Sequence, residues 1–271
     1  MRDPYLYPDV DVLINKKNIK DSKQLDKLEE DVVPLRMIKL RKEGLTITSV
    51  FDIQKIHKFL FISIFDWAGE FRKKTMYKRE PILNGYSVDY TPYEYIKKEM
   101  NDLENKFLEI DWTSLNKKEK IQKITDIVQE LWQIHCFREG NTRTTALFLY
   151  FLLKTIGLHI NIDFLGKNAK YFRNALVLAS LYSSSKKEFL NGIIAESVTI
   201  KNPNTKKYET IDGYEVAKYA YMLLQAKNAE GIAGTHQGEV GLDHSRDELH
   251  YDVRSHEVFP ADFHALQFET Y

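Results

Sequence analysis

Apolar residues along most of the chain recur at three- and four-residue spacing, the periodicity of a helix face, and this predicts a mainly α-helical protein. Ile121, Ile124, Val128, Leu131 and Ile134 mark the buried stripe of a helix of about four to five turns that runs straight into His135. Gly140-Asn141 breaks the period. From about Thr142 a second helix begins, apolar on every side between Ala146 and Leu153 and stopped by Gly157, so it is expected in the core. Upstream, Asp21-x-x-Gln24 resembles a capping box, and Leu25, Leu28, Val32, Leu35 and Ile38 continue at helical spacing with Pro34 as a kink and Gly44 as the stop. Asp52 opens a further helix carrying Ile53, Ile56, Leu60 and Phe65, which Trp67-Ala-Gly69 ends. Beside that stripe, His57 reads as a packed structural histidine. Thr91-Pro92-Tyr93-Glu94 is read as a capping box with proline at the first helical position, and Ile96, Met100, Leu103 and Phe107 form the buried face behind it. Later helices are predicted over 171–181, 186–195 and 214–227, with a turn at Asn202-Pro-Asn204.

Between the two central helices lies His135-Cys136-Phe137-Arg138-Glu139-Gly140-Asn141-Thr142-Arg143. A fresh helix start is an anion site, because its first amides have no intrahelical partner and the helix dipole favours negative charge. Arg143 adds a planar fork of donors suited to phosphate oxygens, and Asn141 can add amide donors. Glu139, an acid among such donors, makes sense if a hard cation is present, since Mg²⁺ is commonly held by one carboxylate plus substrate phosphates. His135, with an unperturbed pKa near ~6.5, suits a general base beside that site. The set points to phosphate chemistry.

The same residues carry a resemblance. His-x-Phe-x-Glu-Gly-Asn-x-Arg is similar to the signature of the Fic family (Fic/Doc, or Fido, domains), whose usual form is His-x-Phe-x-(Asp/Glu)-Gly-Asn-Gly-Arg-x-x-Arg. The segment beginning Tyr5-Leu-Tyr-Pro-Asp, Asp66-Trp-Ala-Gly-Glu and Trp132-Gln-Ile-His also resemble bacterial members, so that the likeness spans residues 5–225. It implies a Fic-type helical bundle with one short β-hairpin flap beside the active site. Two positions depart from the pattern. Thr142 replaces the second motif glycine, and Ala146 stands where the final arginine is expected, which bears on the γ-phosphate pose and on inhibition by a glutamate. An inhibitory (Ser/Thr)-x-x-x-Glu-(Gly/Asn) motif has its nearest match in Thr205 to Thr210, around Glu209, and a chance match in a turn is the favoured reading.

Composition narrows the partners. Lys+Arg and Asp+Glu are 39 each in 271 residues, so no global charge favours nucleic acid or an anionic membrane, and none is expected as a partner. The single cysteine excludes an internal disulfide. The N-terminus lacks the apolar core of an export signal and no run approaches the ~18 apolar residues of a membrane span, so a bacterial cytoplasmic protein is expected, with delivery into a host cell left open. Residues 1–20 read as an aromatic arm packed back on the domain, 21–227 as the Fic domain, and 228–271 as an acidic tail. That tail holds five of the eight histidines at spacings unlike a metal site. Residues 70–90, basic through Arg72, Lys73, Lys74, Lys78 and Arg79 and turned at Asn84-Gly85, read as the hairpin. A solvated ribbon would explain the composition, and the resemblance matches it to the flap on which a target protein docks by strand addition.

The resemblance implies a protein adenylyltransferase using ATP and Mg²⁺. His135 would be the base, Glu139 the Mg²⁺ ligand, and Gly140, Asn141, Thr142, Arg143 and Arg138 nucleotide contacts. Tyr171 matches an adenine-lining aromatic, or is equally a core residue. A Doc-like protein phosphotransferase and a binding module weakened at Thr142 and Ala146 are the alternatives. An inhibitory partner protein and a homodimer are further expectations.

Overall fold

The computed structural model describes residues 3–181 and 186–199. Eight α-helices organise these residues: α1 (Ser22–Glu43), α2 (Asp52–Phe61), α3 (Ile96–Leu108), α4 (Lys117–Ile134), α5 (Asn141–Thr155), α6 (Ile162–Lys167), α7 (Ala169–Ala179) and α8 (Lys187–Thr199). The mainly helical reading is therefore borne out. No described helix is long and apolar enough to cross a membrane. The turn at Asn202, the 214–227 helix, Glu209 and the acidic tail lie outside the described residues.

α5 is the centre of the core. Every residue from Ala146 to Leu153 is buried, as expected of a segment apolar all round. α2 and α4 pack on it, α4 also packs on α3 and α8, and α7 packs on α8. α4 begins with a capping box, in which Asn116 accepts from the Glu119 amide while the Glu119 carboxylate accepts from the Asn116 amide. The N-terminal arm packs back as predicted, with Tyr5 and Tyr7 buried and the Tyr5 hydroxyl accepting from Lys73 N at 2.9 Å.

Two local expectations are corrected, and a third is not shown. In α1 the buried face is Leu25, Glu29, Val33, Met37 and Leu40, while Leu35 is 62% exposed. The apolar count misplaced the stripe because a charged residue, Glu29, is part of it. Pro34, expected as a kink, lies inside the helix. Thr91 does not cap a helix: the chain enters α3 through a 3-10 turn at Tyr93–Tyr95, and α3 starts at Ile96 without a side-chain cap. The β-hairpin is not shown, since the described residues contain no strand. Residues 70–90 are irregular around a 3-10 turn at Pro81–Leu83. The Asn84-Gly85 turn does form, with Asn84 at φ 54° and Gly85 at φ 89°, and Glu80 N donates to Tyr86 O at 3.0 Å. Glu80, Ile82 and Leu83 face inward, so side-chain burial fixes this loop in place of a strand ladder.

Gly140 shows how narrowly the α4–α5 connection is specified. It caps α5 at φ 77°, a left-handed conformation, and a Cβ there would lie 2.4 Å from the Phe61 ring. Gly44 has nearly the same φ, 79°, but a ψ of 154°, outside the left-handed helical region, with nothing within 4 Å of an added Cβ. Gly44→Ala should therefore cost only a backbone-conformation term, about 1–3 kcal/mol. Gly140→Ala should cost about 2–5 kcal/mol, because overpacking against Phe61 is added to the left-handed backbone. Denaturant unfolding of both variants checks this, and a Gly140→Ala loss no larger than about 1–2 kcal/mol, the left-handed term alone, would mean that the Phe61 contact relaxes freely.

Candidate active site

α4 ends where its apolar stripe ends, and His135 caps it in the left-handed region at φ 49° and ψ 52°. Its Nδ1 lies 3.3 Å from Trp132 O, the geometry of a donor to a carbonyl, which assigns the lone pair to Nε2. The ring is buried between the Tyr90 ring, 4.1 Å away between centroids, and the edge of Trp132 at 5.5 Å.

The loop after His135 is held from three directions. Arg72, buried, donates Nε to His135 O at 2.7 Å, Nη1 to Lys74 O at 2.6 Å and Nη2 to Thr91 O, and its amide donates to Cys136 O at 2.8 Å. A cation among the last carbonyls of α4 satisfies groups that a helix C-terminus leaves without partners. Burial lowers the Arg72 pKa to about 10, so it stays charged at neutral pH. On another side, His57 stacks on Phe137 with centroids 3.8 Å apart, accepts from Gly69 N at Nδ1 (2.8 Å) and reaches Glu139 O from Nε2 (3.0 Å). Burial pushes its pKa down to about 3, so the ring is neutral. His57 is structural, as the sequence suggested. From within the loop, Asn141 accepts from Phe137 N at 2.9 Å and donates to Phe137 O at 2.8 Å. Its side chain thereby shapes the loop.

The remaining motif residues face one another at the start of α5. Glu139 Oε1 accepts from Gly140 N at 2.9 Å and lies 3.8 Å from Arg143 Nη2, while Oε2 lies 4.0 Å from Lys78 Nζ. Arg143 also donates to Glu29 of α1 at 2.6 Å and lies over the Phe61 ring at 4.9 Å. Burial pushes Glu29 up to about 7, with Arg143 opposing and the charge of Glu139 adding to the rise. Glu29 was missed because one acid in an acidic helix gives no signal. The first i to i−4 bond of α5 is Thr144 N to Gly140 O, so the amides of Asn141, Thr142 and Arg143 form the helix's open first turn.

Thr142 is buried inside the regular helix, and its hydroxyl accepts from Trp132 Nε1 at 3.0 Å. Ala146 is fully buried in the α5 core. Arg138 turns to the N-terminal arm, donating to Asp3 Oδ2 from Nε (3.2 Å) and Nη2 (3.0 Å). Burial would raise Asp3, but the Tyr5 amide, Arg138 and Lys74 outweigh it and hold its carboxyl below the ordinary value. Cys136 is buried, and burial raises its thiol to about 12, which removes it as a nucleophile. Tyr171 is half-buried on α7, where burial and the charge of Glu188 raise its pKa.

Among the described residues no three His, Cys, Asp or Glu side chains gather into a metal cage. Glu139, partly accessible at 17%, fits a hard cation whose other ligands are phosphate oxygens and water.

Residues 47–153 match the model of the Fic/DOC family. The protein adenylyltransferase VbhT of Bartonella schoenbuchensis is 28% identical over 197 residues, which are 69% of this chain and 40% of that protein. The probable protein adenylyltransferase Fic of Escherichia coli K12 is 27% identical over 169 residues, 62% of this chain and 80% of that one. Among solved structures, BepC of Bartonella tribocorum with bound AMPPNP superposes with a TM-score of 0.61 at 24% identity, covering 71% of this chain and 95% of that one. The type IV secretion effector BepA gives a TM-score of 0.62 at 21% identity, over 86% of this chain and 75% of the other. These two likenesses are of fold. With the motif placed between α4 and α5 and the family match running from the end of the α1–α2 connection through α5, residues 47–153 form a Fic/DOC family domain.

Proposed function

We propose that this protein transfers AMP from ATP to a hydroxyl of a target protein. The observation that carries the reading is the juxtaposition of His135, its Nδ1 turned to Trp132 O, with the open first turn of α5 and the Glu139–Arg143 pair. In the reaction, Nε2 of His135 takes the proton of a Ser, Thr or Tyr hydroxyl, whose oxygen forms a bond to the α-phosphorus. The bond from that phosphorus to the bridging oxygen breaks, and pyrophosphate leaves with the electron pair. The amides after Gly140 stabilise charge on the α-phosphate oxygens. Arg143, already turned toward this turn by Glu29, takes the β-phosphate. Glu139 would hold Mg²⁺, which supplies neutralisation of phosphate charge.

Nucleotide-bound relatives in the fold family support ATP as the donor, and BepC with AMPPNP is one. Residues 70–90 are proposed as the target-docking segment; Tyr77 there is 68% exposed, and the stretch 75–79 is not paired as a strand among the described residues. Tyr171 as an adenine contact and Arg138 as a nucleotide contact remain part of this proposal. The Bartonella effector likeness supports delivery into a host cell as one setting for the activity.

A second reading, phosphoryl transfer with the nucleotide reversed, is favoured by one observation. Ala146 is fully buried, so this position sends no cation toward a γ-phosphate. ATP labelled separately at the α and γ positions decides between the two. Label from the α position should appear on protein, and label from γ alone would establish phosphoryl transfer instead.

His135→Asn should abolish transfer while leaving ATP affinity within about twofold, because it removes the base and no phosphate ligand. Asparagine tolerates the left-handed backbone better than alanine, so the melting temperature should hardly change. Retention of more than about 1% of wild-type turnover would remove His135 as the base. Glu139→Ala should shift the Mg²⁺ titration to roughly tenfold higher concentration, in the range seen when a metal site loses support. An unchanged titration would place the cation elsewhere.

A further inference from the structure

Arg173, Glu80 and Tyr90 form a buried chain that ends on the ring of His135, and the reaction above uses none of them. Arg173, on α7, reaches Glu80 with both terminal nitrogens, Nη1 to Oε2 at 3.0 Å and Nη2 to Oε1 at 3.3 Å. The Tyr90 hydroxyl donates to the same Oε1 at 2.9 Å. The Tyr90 ring lies against the His135 imidazole, 4.1 Å between centroids and tilted by 35°. Glu80 is 1% exposed.

A carboxylate this deep is tolerated when its oxygens are paired and hydrogen-bonded, and a bidentate guanidinium also fixes its orientation. Glu80 therefore sets where the Tyr90 hydroxyl can sit. The aromatic ring, tied at its far end, becomes a wall for the imidazole. Together with the tether from Nδ1 to Trp132 O at 3.3 Å, this wall sets the rotation of the His135 ring about χ2. The Trp132 ring meets the imidazole edge to face, 5.5 Å between centroids.

We infer that Tyr90, Glu80 and Arg173 are positioning residues that hold the His135 imidazole at the angle needed to take the target's proton. The inference rests on the reading of His135 as the base. Loss of the Tyr90 hydroxyl frees the ring to swing, and misplacement of a general base lowers turnover without touching the nucleotide.

Kinetics on Tyr90→Phe, Glu80→Gln and the double variant test the chain. Tyr90→Phe should lower kcat about fivefold and Glu80→Gln about tenfold, with KM for ATP within about twofold, and the double variant should be no worse than Glu80→Gln. Tyr90→Phe keeps the ring and its volume, so it decides the matter alone if Glu80→Gln fails to fold. Unchanged kcat in Tyr90→Phe, losses that multiply in the double variant, or a loss carried by KM would each overturn the inference. If the wild-type protein shows no transfer, the rate of carbethoxylation of His135 by diethylpyrocarbonate, followed by mass on its peptide, replaces kcat. A rate raised about threefold or more in Tyr90→Phe then supports the chain while sinking the reaction, and an equal rate sinks both.

Discussion

A helix that ends in the middle of a protein leaves its last carbonyls pointing at whatever lies beyond, and here a single buried guanidinium receives them. Arg72 donates to His135 O, to Thr91 O and to Lys74 O, so one side chain joins the end of α4, the approach to α3 and the segment after the Trp67-Ala-Gly69 turn. Removing its side chain would leave several carbonyls buried without donors, each a cost of about 1–3 kcal/mol. The left-handed cap at His135 depends on this clamp, because its carbonyl is one of those received. Everything chemical in the site follows from where that cap aims.

The loop that follows is held by neutral groups, and this has a reason. Burial penalises a charged ring here and Arg143 would repel it, so His57 serves as a neutral ring with one donor and one acceptor, joining Gly69 N to Glu139 O. Its folded pKa of about 3 lies below the ordinary 6.5, so its contribution to stability is present above the unfolded value and is lost as pH falls toward 3. Glu29 works in the other direction. With a folded pKa raised from 4.5 to about 7, it favours folding at low pH and loses that contribution as pH rises through 7. The two linkages oppose each other between about pH 4.5 and 6.5, on either side of the same Arg143.

What the sequence disclosed follows the same physical division. α4, the motif and α5 were legible because apolar periodicity, a Gly-Asn break and a run of chemically distinctive residues coincide there. Leu35 was misplaced on the buried face because periodicity counts apolar residues, whereas Glu29 is drawn inside by an arginine 114 positions away in sequence. Arg72 was hidden in the run with Lys73 and Lys74, where composition gives three similar cations and only the fold decides which one is buried. The hairpin, which no described strand shows, turns on a related point. Asn84-Gly85 signals a turn correctly, but whether the flanks pair as strands depends on where their side chains go, and Glu80 is drawn to Arg173. The chain from Arg173 to Tyr90 was invisible because Arg173, on α7, lies 93 positions from Glu80 in sequence.

Thr142 and Ala146, the two departures from the family pattern, are physically different. At 142 the backbone is ordinary helix, so glycine's conformational freedom is not required. The added hydroxyl accepts the indole N–H of Trp132, which satisfies a buried donor, and Trp132 is the residue whose carbonyl and edge orient His135. Threonine there is compatible with the site and stiffens it. Position 146 is fully buried, so an arginine could enter only by displacing core or burying a charge. In the proposed reaction, phosphate recognition would therefore fall on Arg143 and the first turn of α5, and Glu29, which pairs with Arg143, would gain the importance that a second arginine would otherwise share.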